Sequence, residues 1–452
     1  MTLALVYGAF LLFAVLRLFR KPAHDQTDYI VAGRRLTLPA FVATTVSSWY
    51  GGILGIGEYS WTYGVSNWLV FGVPYYLYAV VFALVLAARA RRSEVLTLPD
   101  LLERRFGRGS ALMGAGMLFV MTVPAAYVLM IGVLVRLATG WPLWLGVTVG
   151  TVLSVGYVYR GGLRAVVGTD KVQFVLMFLG FIILVPACML KHGDLAWLRA
   201  SLPESHLEWD GGRGFQAVAV WYVIAASTLI EPTFHQRCYA ARDAGVARRG
   251  LLVSVLFWLI FDALTTVSGL YARAVLPNLA DPMTAFPELA AVTLPPLLQG
   301  LFLTGLLATI MSTVDSYAFV SAVTGGRDLW GRWTGRDESL RPMRVALTLT
   351  ALLSIVLALW AGSAITLWHH LGSVGTPVLL GPVLLAHTSI VRSGRRIMVS
   401  MAAAGTVAGT WLALGGGEAW LGVEAIFPGL LVSSLVLIDF SSRGLRHPNR
   451  FD

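Results

Sequence analysis

Long apolar stretches separated by short charged segments run through the whole chain. Runs of about 18 to 28 residues fall near 3–20, 38–64, 67–88, 110–135, 141–158, 172–190, 214–235, 250–275, 298–324, 343–361, 364–390, 397–414 and 419–439. Each is long enough, as a helix, to cross the hydrocarbon core of a bilayer. The pattern therefore predicts an all-α integral membrane protein with about thirteen transmembrane helices. No intervening segment is long enough to fold as a soluble domain. Between spans, Leu96 to Phe106 (LTLPDLLERRF) predicts a short amphipathic helix with Pro99 at its start. The segment 191–213, with Asp194, Glu204, Glu208 and Asp210, predicts a short surface helix.

Two spans carry internal breaks. In the second, Ser47 to Glu58 (SSWYGGILGIGE) contains four glycines, which weaken helix propagation. In the seventh, Ser227 to Pro232 (STLIEP) ends on a proline, which removes a backbone donor. Taken singly, glycines can serve close helix packing and a proline can merely kink its helix. Together, two broken helices five spans apart and running in opposite directions predict a transporter with inverted repeats and a central binding site.

A third anomaly is polar. The span 298–324 contains Thr309-Ile310-Met311-Ser312-Thr313-Val314-Asp315-Ser316. Hydroxyls and a carboxylate are costly at membrane depth and mark ion or substrate paths. Thr309, Ser312, Thr313 and Ser316 fall at i, i+3, i+4 and i+7, so one helix stripe presents oxygen atoms. Oxygen ligands suit a hard cation.

Composition agrees with the pattern: apolar residues make up 57% of the 452, charged residues 13%, and mean hydropathy is +0.72. A soluble chain carries about twice that charge. The net charge of +10 does not point to nucleic acid, because of where it sits. With the N-terminus outside, all Lys and Arg except Arg136, Lys191, Arg199, Arg213 and Arg273 fall on the inner side, which predicts an N-out, C-in multi-pass protein of the cell (plasma or inner) membrane. The first span has no basic residue before it and Arg17, Arg20 and Lys21 after it, and so reads as a retained span. Cys188 and Cys238 lie in different apolar segments and predict neither a disulfide nor a metal framework. No nucleophile–base set, phosphate loop or metal cluster suggests an enzyme.

Several segments, in order, resemble the sodium:solute symporter family, whose core is the LeuT-type 5+5 inverted repeat. They are Asp28 to Leu36 (DYIVAGRRL), Thr97-Leu98-Pro99-Asp100 with Arg105-Phe106-Gly107, Gly161 to Asp170 (GGLRAVVGTD) with Gln173, and Gln236 to Asp243 (QRCYAARD). The hydroxyl-rich stretch followed by Asp328-Leu329-Trp330 completes the series. The order and spacing hold from about residue 28 to 335; the last third matches only in hydrophobic pattern. The resemblance implies an N-terminal extra span and linker over 1–37 and a first repeat over 38–190. It implies an outer loop and second repeat over 191–390, then two further spans and a tail over 391–452. It also implies uptake of a small organic solute with Na+ as coupling ion. The family's shared sodium site, carried onto this chain, uses the carbonyls of Ala43, Val46 and Thr309 and the hydroxyls of Ser312 and Thr313. A second cation or proton site in some members maps onto Asp170, Ser312, Asp315 and Ser316, with Asp315 standing where those members carry serine. Members that transport proline have an aspartate where this chain has Thr45, which disfavours the amino-acid branch.

Solute candidates lie beside the two breaks: Trp49, Tyr50 and Glu58; Tyr75, Tyr76 and Tyr78; Glu231, Phe234 and His235; and Trp368, His369 and His370. Trp368 reads equally as an interfacial aromatic. His369-His370 reads as an interface pair rather than a metal site, since adjacent histidines face different sides of a helix. Glu58 and Glu231 suit a cationic or hydroxyl-rich solute. The expected partners are thus a small solute and the bilayer, with no nucleic acid; nothing in the pattern specifies an oligomeric state. Two rival readings remain on the same fold: a proton-coupled symporter using Asp315 or Asp170, and a solute sensor, whose family relatives carry a fused cytoplasmic kinase region that does not follow here.

Overall fold

The computed structural model describes Ala23 and residues 25–335, 339–361, 364–390 and 392–438. The span expected at 3–20 and the tail from 439 onward lie outside the described residues. Among those described there are helices and no strands. In chain order the helices are α1 (Gln26–Val31), α2 (Leu38–Ser47), α3 (Ile53–Tyr63), α4 (Trp68–Arg92), α5 (Leu98–Phe106), α6 (Arg108–Met121) and α7 (Ala125–Thr139). They continue as α8 (Leu143–His192), α9 (Leu195–Ser201), α10 (Phe215–Ile224), α11 (Pro232–Ala240), α12 (Ala244–Val275) and α13 (Ala285–Thr293). The last are α14 (Pro296–Thr334), α15 (Arg341–Ala361), α16 (Ala364–Ala386), α17 (Gly394–Leu414) and α18 (Ile426–Leu437). Eight helical stretches among the described residues are long and apolar enough to cross a membrane by themselves. Leu84, Val152, Leu190, Val356 and Leu431 stay exposed on their outer faces, where lipid takes the place of a protein partner.

Both expected breaks are present. The chain leaves α2 at Ser47 and resumes helix at Ile53, and the gap is Ser48 to Gly52. A Cβ on Gly51 would lie 2.4 Å from Thr313 Cβ, so the absence of a side chain lets this gap touch α14. The second break runs from Ala225 through a tight turn to Ile230, with Glu231 capping α11 through its side chain on the Thr233 amide.

Three expectations need correction. The spans 141–158 and 172–190 are not separated by a loop: α8 is helical throughout except at Gly162 (φ 55, ψ −146). That conformation excludes most side chains, and a Cβ there would lie 2.4 Å from the Tyr29 carbonyl oxygen. The span 110–135 is itself interrupted, because Pro124 separates α6 from α7. The span 214–235 ends too early, since α11 continues, fully buried, to Ala240. The polar run His235-Gln236-Arg237 is buried among other helices, where Arg237 bonds Thr44 and Ser316 and His235 bonds the Leu229 carbonyl. The amphipathic helix expected over Leu96 to Phe106 is present as α5, which buries its apolar face, Leu98, Leu101, Leu102 and Phe106, within the protein. Its acidic face binds the end of α14: Arg327 Nη1 meets Asp100 Oδ1 at 2.8 Å and Arg332 Nε meets Glu103 Oε2 at 2.8 Å.

The motifs behind the resemblance meet at one end of the bundle. Asp28 pairs with Arg164 beside the Gly162 break. The Leu36 amide donates to the Ala240 carbonyl (3.1 Å) and the Arg242 amide to the Leu36 carbonyl (3.0 Å), tying the start of α2 to the end of α11. The two broken helices are thus anchored to each other through their backbones.

Candidate functional site

The first break and α14 form one polar centre. Thr313 Oγ1 donates to the Ser48 carbonyl at 2.9 Å, and Ser312 Oγ lies 3.0 Å from Ser47 Oγ. Ser47 Oγ donates to the Ala43 carbonyl at 2.8 Å, and the Val46 carbonyl accepts from the Trp49 amide at 3.3 Å. Ser312 thus meets the segment of Ala43 through Ser47, and Thr313 meets it at Ser48, while the Val46 carbonyl is bonded within the break itself. Thr309 is buried one turn earlier on α14, its hydroxyl donating back to the Gly305 carbonyl at 2.7 Å. The oxygens here are carbonyls and hydroxyls, with the Asp170 carboxylate bonded to one of them, Ser312, and oxygen ligands are what a hard cation accepts.

The expected second site divides. Asp170, on the second part of α8, accepts from Ser312 Oγ at 2.6 Å and from the Thr44 hydroxyl. Its countercharge is Arg237, 3.8 Å away and equally without solvent exposure. Arg237 Nη2 also donates to Ser316 Oγ at 2.6 Å and to Thr44 Oγ1 at 3.2 Å. Asp315 is not brought to this group. It points instead at the first part of α8, where the Tyr157 hydroxyl donates to it. The reason is angular: on a helix, Ser316 lies about 40° to one side of Ser312 and Asp315 about 60° to the other, so the two diverge by about 100° and reach different neighbours. Asp315 is fully buried there.

Beside the first break lies a cavity of about 230 Å³. Trp49 and Tyr50 come from the gap itself, Tyr75 from α4, Glu231 from the second break, and Trp368 and His369 from α16. These six residues line one cavity. Glu231 Oε1 accepts from Thr233 Oγ1 (2.8 Å) and Oε2 from the Tyr317 hydroxyl (3.1 Å). His369 Nε2 lies 3.0 Å from Glu424 Oε2, and His370 Nε2 is 2.9 Å from the Gly417 carbonyl, so the turn between α17 and α18 braces this wall. Other candidates stand back from the cavity. Glu58 is not among the residues that line it. Tyr76 and Tyr78 do not line it; the Tyr76 hydroxyl binds Asp262, which does. Phe234 supports Trp49 from behind at a ring-centroid distance of 5.1 Å. His235 bonds the Leu229 carbonyl at 3.1 Å and stacks on His387.

Reading the sequence missed Arg237, Asp262, Thr44 and Ser47, and the cavity aromatics Tyr127, Trp221 and Tyr317. Asp262 had a readable signal: Phe257 to Thr265 (FWLIFDALT) places one carboxylate in mid-span, as at Asp315. Arg237 had none beyond the motif that contains it, because its neighbours are polar enough to read as a loop.

Comparison with known proteins gives the family and the fold. The family model of the sodium:solute symporter family matches residues 29–386. The chain is 25% identical over 368 residues to the sodium/pantothenate symporter of Escherichia coli (strain K12), covering 78% of this chain and 76% of that one. It is 26% identical over 455 residues to the osmoregulated proline transporter OpuE of Bacillus subtilis (strain 168), covering 93% and 90%. A Na+-coupled sialic acid symporter solved in a substrate-bound outward-open state superimposes with a TM-score of 0.82 at 15% identity, over 96% of this chain and 95% of that one. Mhp1, a nucleobase-cation-symport-1 family transporter, superimposes with a TM-score of 0.62 at 12% identity, over 92% and 94%. These likenesses show a LeuT-type core, with its first and sixth helices broken. By the extent of the family match, the chain belongs to the sodium:solute symporter family.

Proposed function

We propose that the protein is a sodium-coupled secondary transporter that carries a small polar organic solute across the cell membrane by alternating access. The observation that carries this reading is the shared use of α14 by both sites. Ser312 and Thr313 face the first break, while Tyr317, one turn on, reaches the cavity and bonds Glu231 at the second break. A cation drawing the Ala43–Ser48 carbonyls against Ser312 and Thr313 would fix the same segment that presents Trp49 and Tyr50 to the solute. Ion and solute then favour one conformation, which is coupling in thermodynamic terms. The cation ligands are the carbonyls of Ala43, Val46 and Thr309 with the two hydroxyls. Residues 38–190 and 191–390 form the two inverted repeats, and the termini lie outside (N) and inside (C), as the distribution of Lys and Arg supports.

One sodium ion is the stoichiometry this geometry favours. Arg237 already supplies positive charge to Asp170 and occupies the Ser316 hydroxyl, the groups a second ion would need. Proton coupling remains the competing reading, favoured by Asp315, whose described contacts include a tyrosine hydroxyl and no basic group. The deciding experiment is a thermal-shift screen of the purified protein against small metabolites, in sodium and in potassium at equal ionic strength. Any solute that binds the native state stabilises it, whatever its chemical identity. Stabilisation by a solute that requires sodium is expected. Solute binding indifferent to sodium but dependent on pH would favour the proton.

A further inference from the structure

The charge and shape of the cavity narrow the class of solute, an inference that rests on the transporter reading above. Two carboxyl groups from different segments enter the cavity, Glu231 in the second break just before α11 and Asp262 on α12. Their side-chain partners are hydroxyls: Thr233 and Tyr317 for Glu231, and Tyr76 for Asp262. Among the described residues, no lysine or arginine lines the cavity. His369 is the one basic side chain among those described there, and Glu424 engages it from the far side. Arg237 is committed to Asp170, Thr44 and Ser316 and is not part of the lining. The walls are ring faces and edges, with Trp49, Tyr75, Tyr127, Trp221 and Trp368 contributed by several separate segments.

Each of these features has the same electrostatic sign. Buried carboxylates seek a countercharge: Arg237 acts on Glu231 only from outside the lining and is already paired with Asp170, and Asp262 has no basic partner among the described residues. Aromatic faces carry negative quadrupole density and attract cations. A solute bearing a free carboxylate would meet two like charges and find no cation to bind it. A neutral polyol would leave the carboxylates uncompensated. We propose that the transported solute is a small organic cation, an ammonium with apolar substituents, seated among the aromatic rings with Glu231 and Asp262 as its countercharge.

The test uses the full-length purified protein and measures thermal stabilisation in sodium chloride and in potassium chloride. The probes are the quaternary ammonium choline, its uncharged isostere 3,3-dimethyl-1-butanol, zwitterionic proline and anionic pantothenate. Choline is expected to stabilise the protein in sodium at concentrations at least about tenfold below those at which the isostere acts. Glu231→Gln and Asp262→Asn are each expected to raise the half-maximal choline concentration by about tenfold or more. The proposal is overturned if the isostere matches choline, if proline or pantothenate stabilises and choline does not, or if choline produces no shift up to its solubility. The comparison of choline with its isostere on the unaltered protein keeps the test decisive should a variant fail to fold. Sodium alone reports on the transporter reading: a sodium shift without a choline shift removes the cation proposal and leaves symport standing, whereas a choline shift with no sodium effect does the reverse.

Discussion

Arg237 carries a charge at a position with no solvent exposure, and its head group touches Asp170, Thr44 and Ser316. Removing one member of a buried ion pair strands the other, which typically costs ~3 kcal/mol or more, whereas removing both costs less than the sum. Arg237→Gln and Asp170→Asn should therefore each lower the unfolding midpoint strongly, and the double variant should be more stable than additivity allows. Additive losses would mean the two do not act as a pair. Asp315 sits apart on Tyr157, so Asp315→Asn should leave the charge moved per solute unchanged, as measured by current against uptake in proteoliposomes. A changed ratio would return Asp315 to the ion path. The polarity of Thr309 to Ser316 was legible because hydroxyls and a carboxylate interrupt an apolar span. Which way Asp315 points was not, since that depends on how α8 packs against α14. Asp262 was legible by the same rule and was passed over, while Arg237 was hidden by polar neighbours.

At the level of elements, the two breaks could be read from glycines and a proline because these residues act on the backbone locally. The break at Gly162 could not, since its left-handed conformation is imposed by the approach of Tyr29, a contact distant in sequence. Gly51→Ala would press a methyl group against Thr313 and force α14 away from the first break. The expected outcome is a sodium requirement raised by about tenfold with folding retained, read from a sodium titration of uptake or stability. Helix α5 offers a separate test through its acidic face. Burial disfavours the Asp100 charge, but Arg327 and Arg332 outweigh that effect and hold the carboxyl below its ordinary value. A depressed value means that the unfolded chain binds the proton more readily, so the stabilisation is complete above the ordinary carboxylate range and fades as pH falls through the depressed value. Asp100→Asn should lower the unfolding midpoint at pH 7 by an amount that shrinks in acid below about pH 4. A difference that persists unchanged in acid would assign the effect to packing rather than charge.

Across the whole molecule, the fold was legible because each crossing of a bilayer demands its own apolar run and because the family's motifs recur in order. Those motifs turn out to be the contacts that lock one end of the bundle, Asp28 with Arg164 and Leu36 with Ala240 and Arg242. The solute cavity was less legible, since its lining is drawn from segments as far apart as Trp49 and Trp368 and only packing selects which aromatic faces it. What unites the molecule is the junction at which Ser312 and Thr313 meet the Ala43–Ser48 segment. The most direct test of that junction is a sodium titration of thermal stability, at constant ionic strength with potassium as replacement, on the unaltered protein and on Ser312→Ala and Thr313→Ala. Sodium should stabilise the unaltered protein with a saturable midpoint, and each variant should need about tenfold more sodium to reach its own midpoint. A midpoint that neither variant moves, or stability that does not distinguish sodium from potassium, would contradict the account.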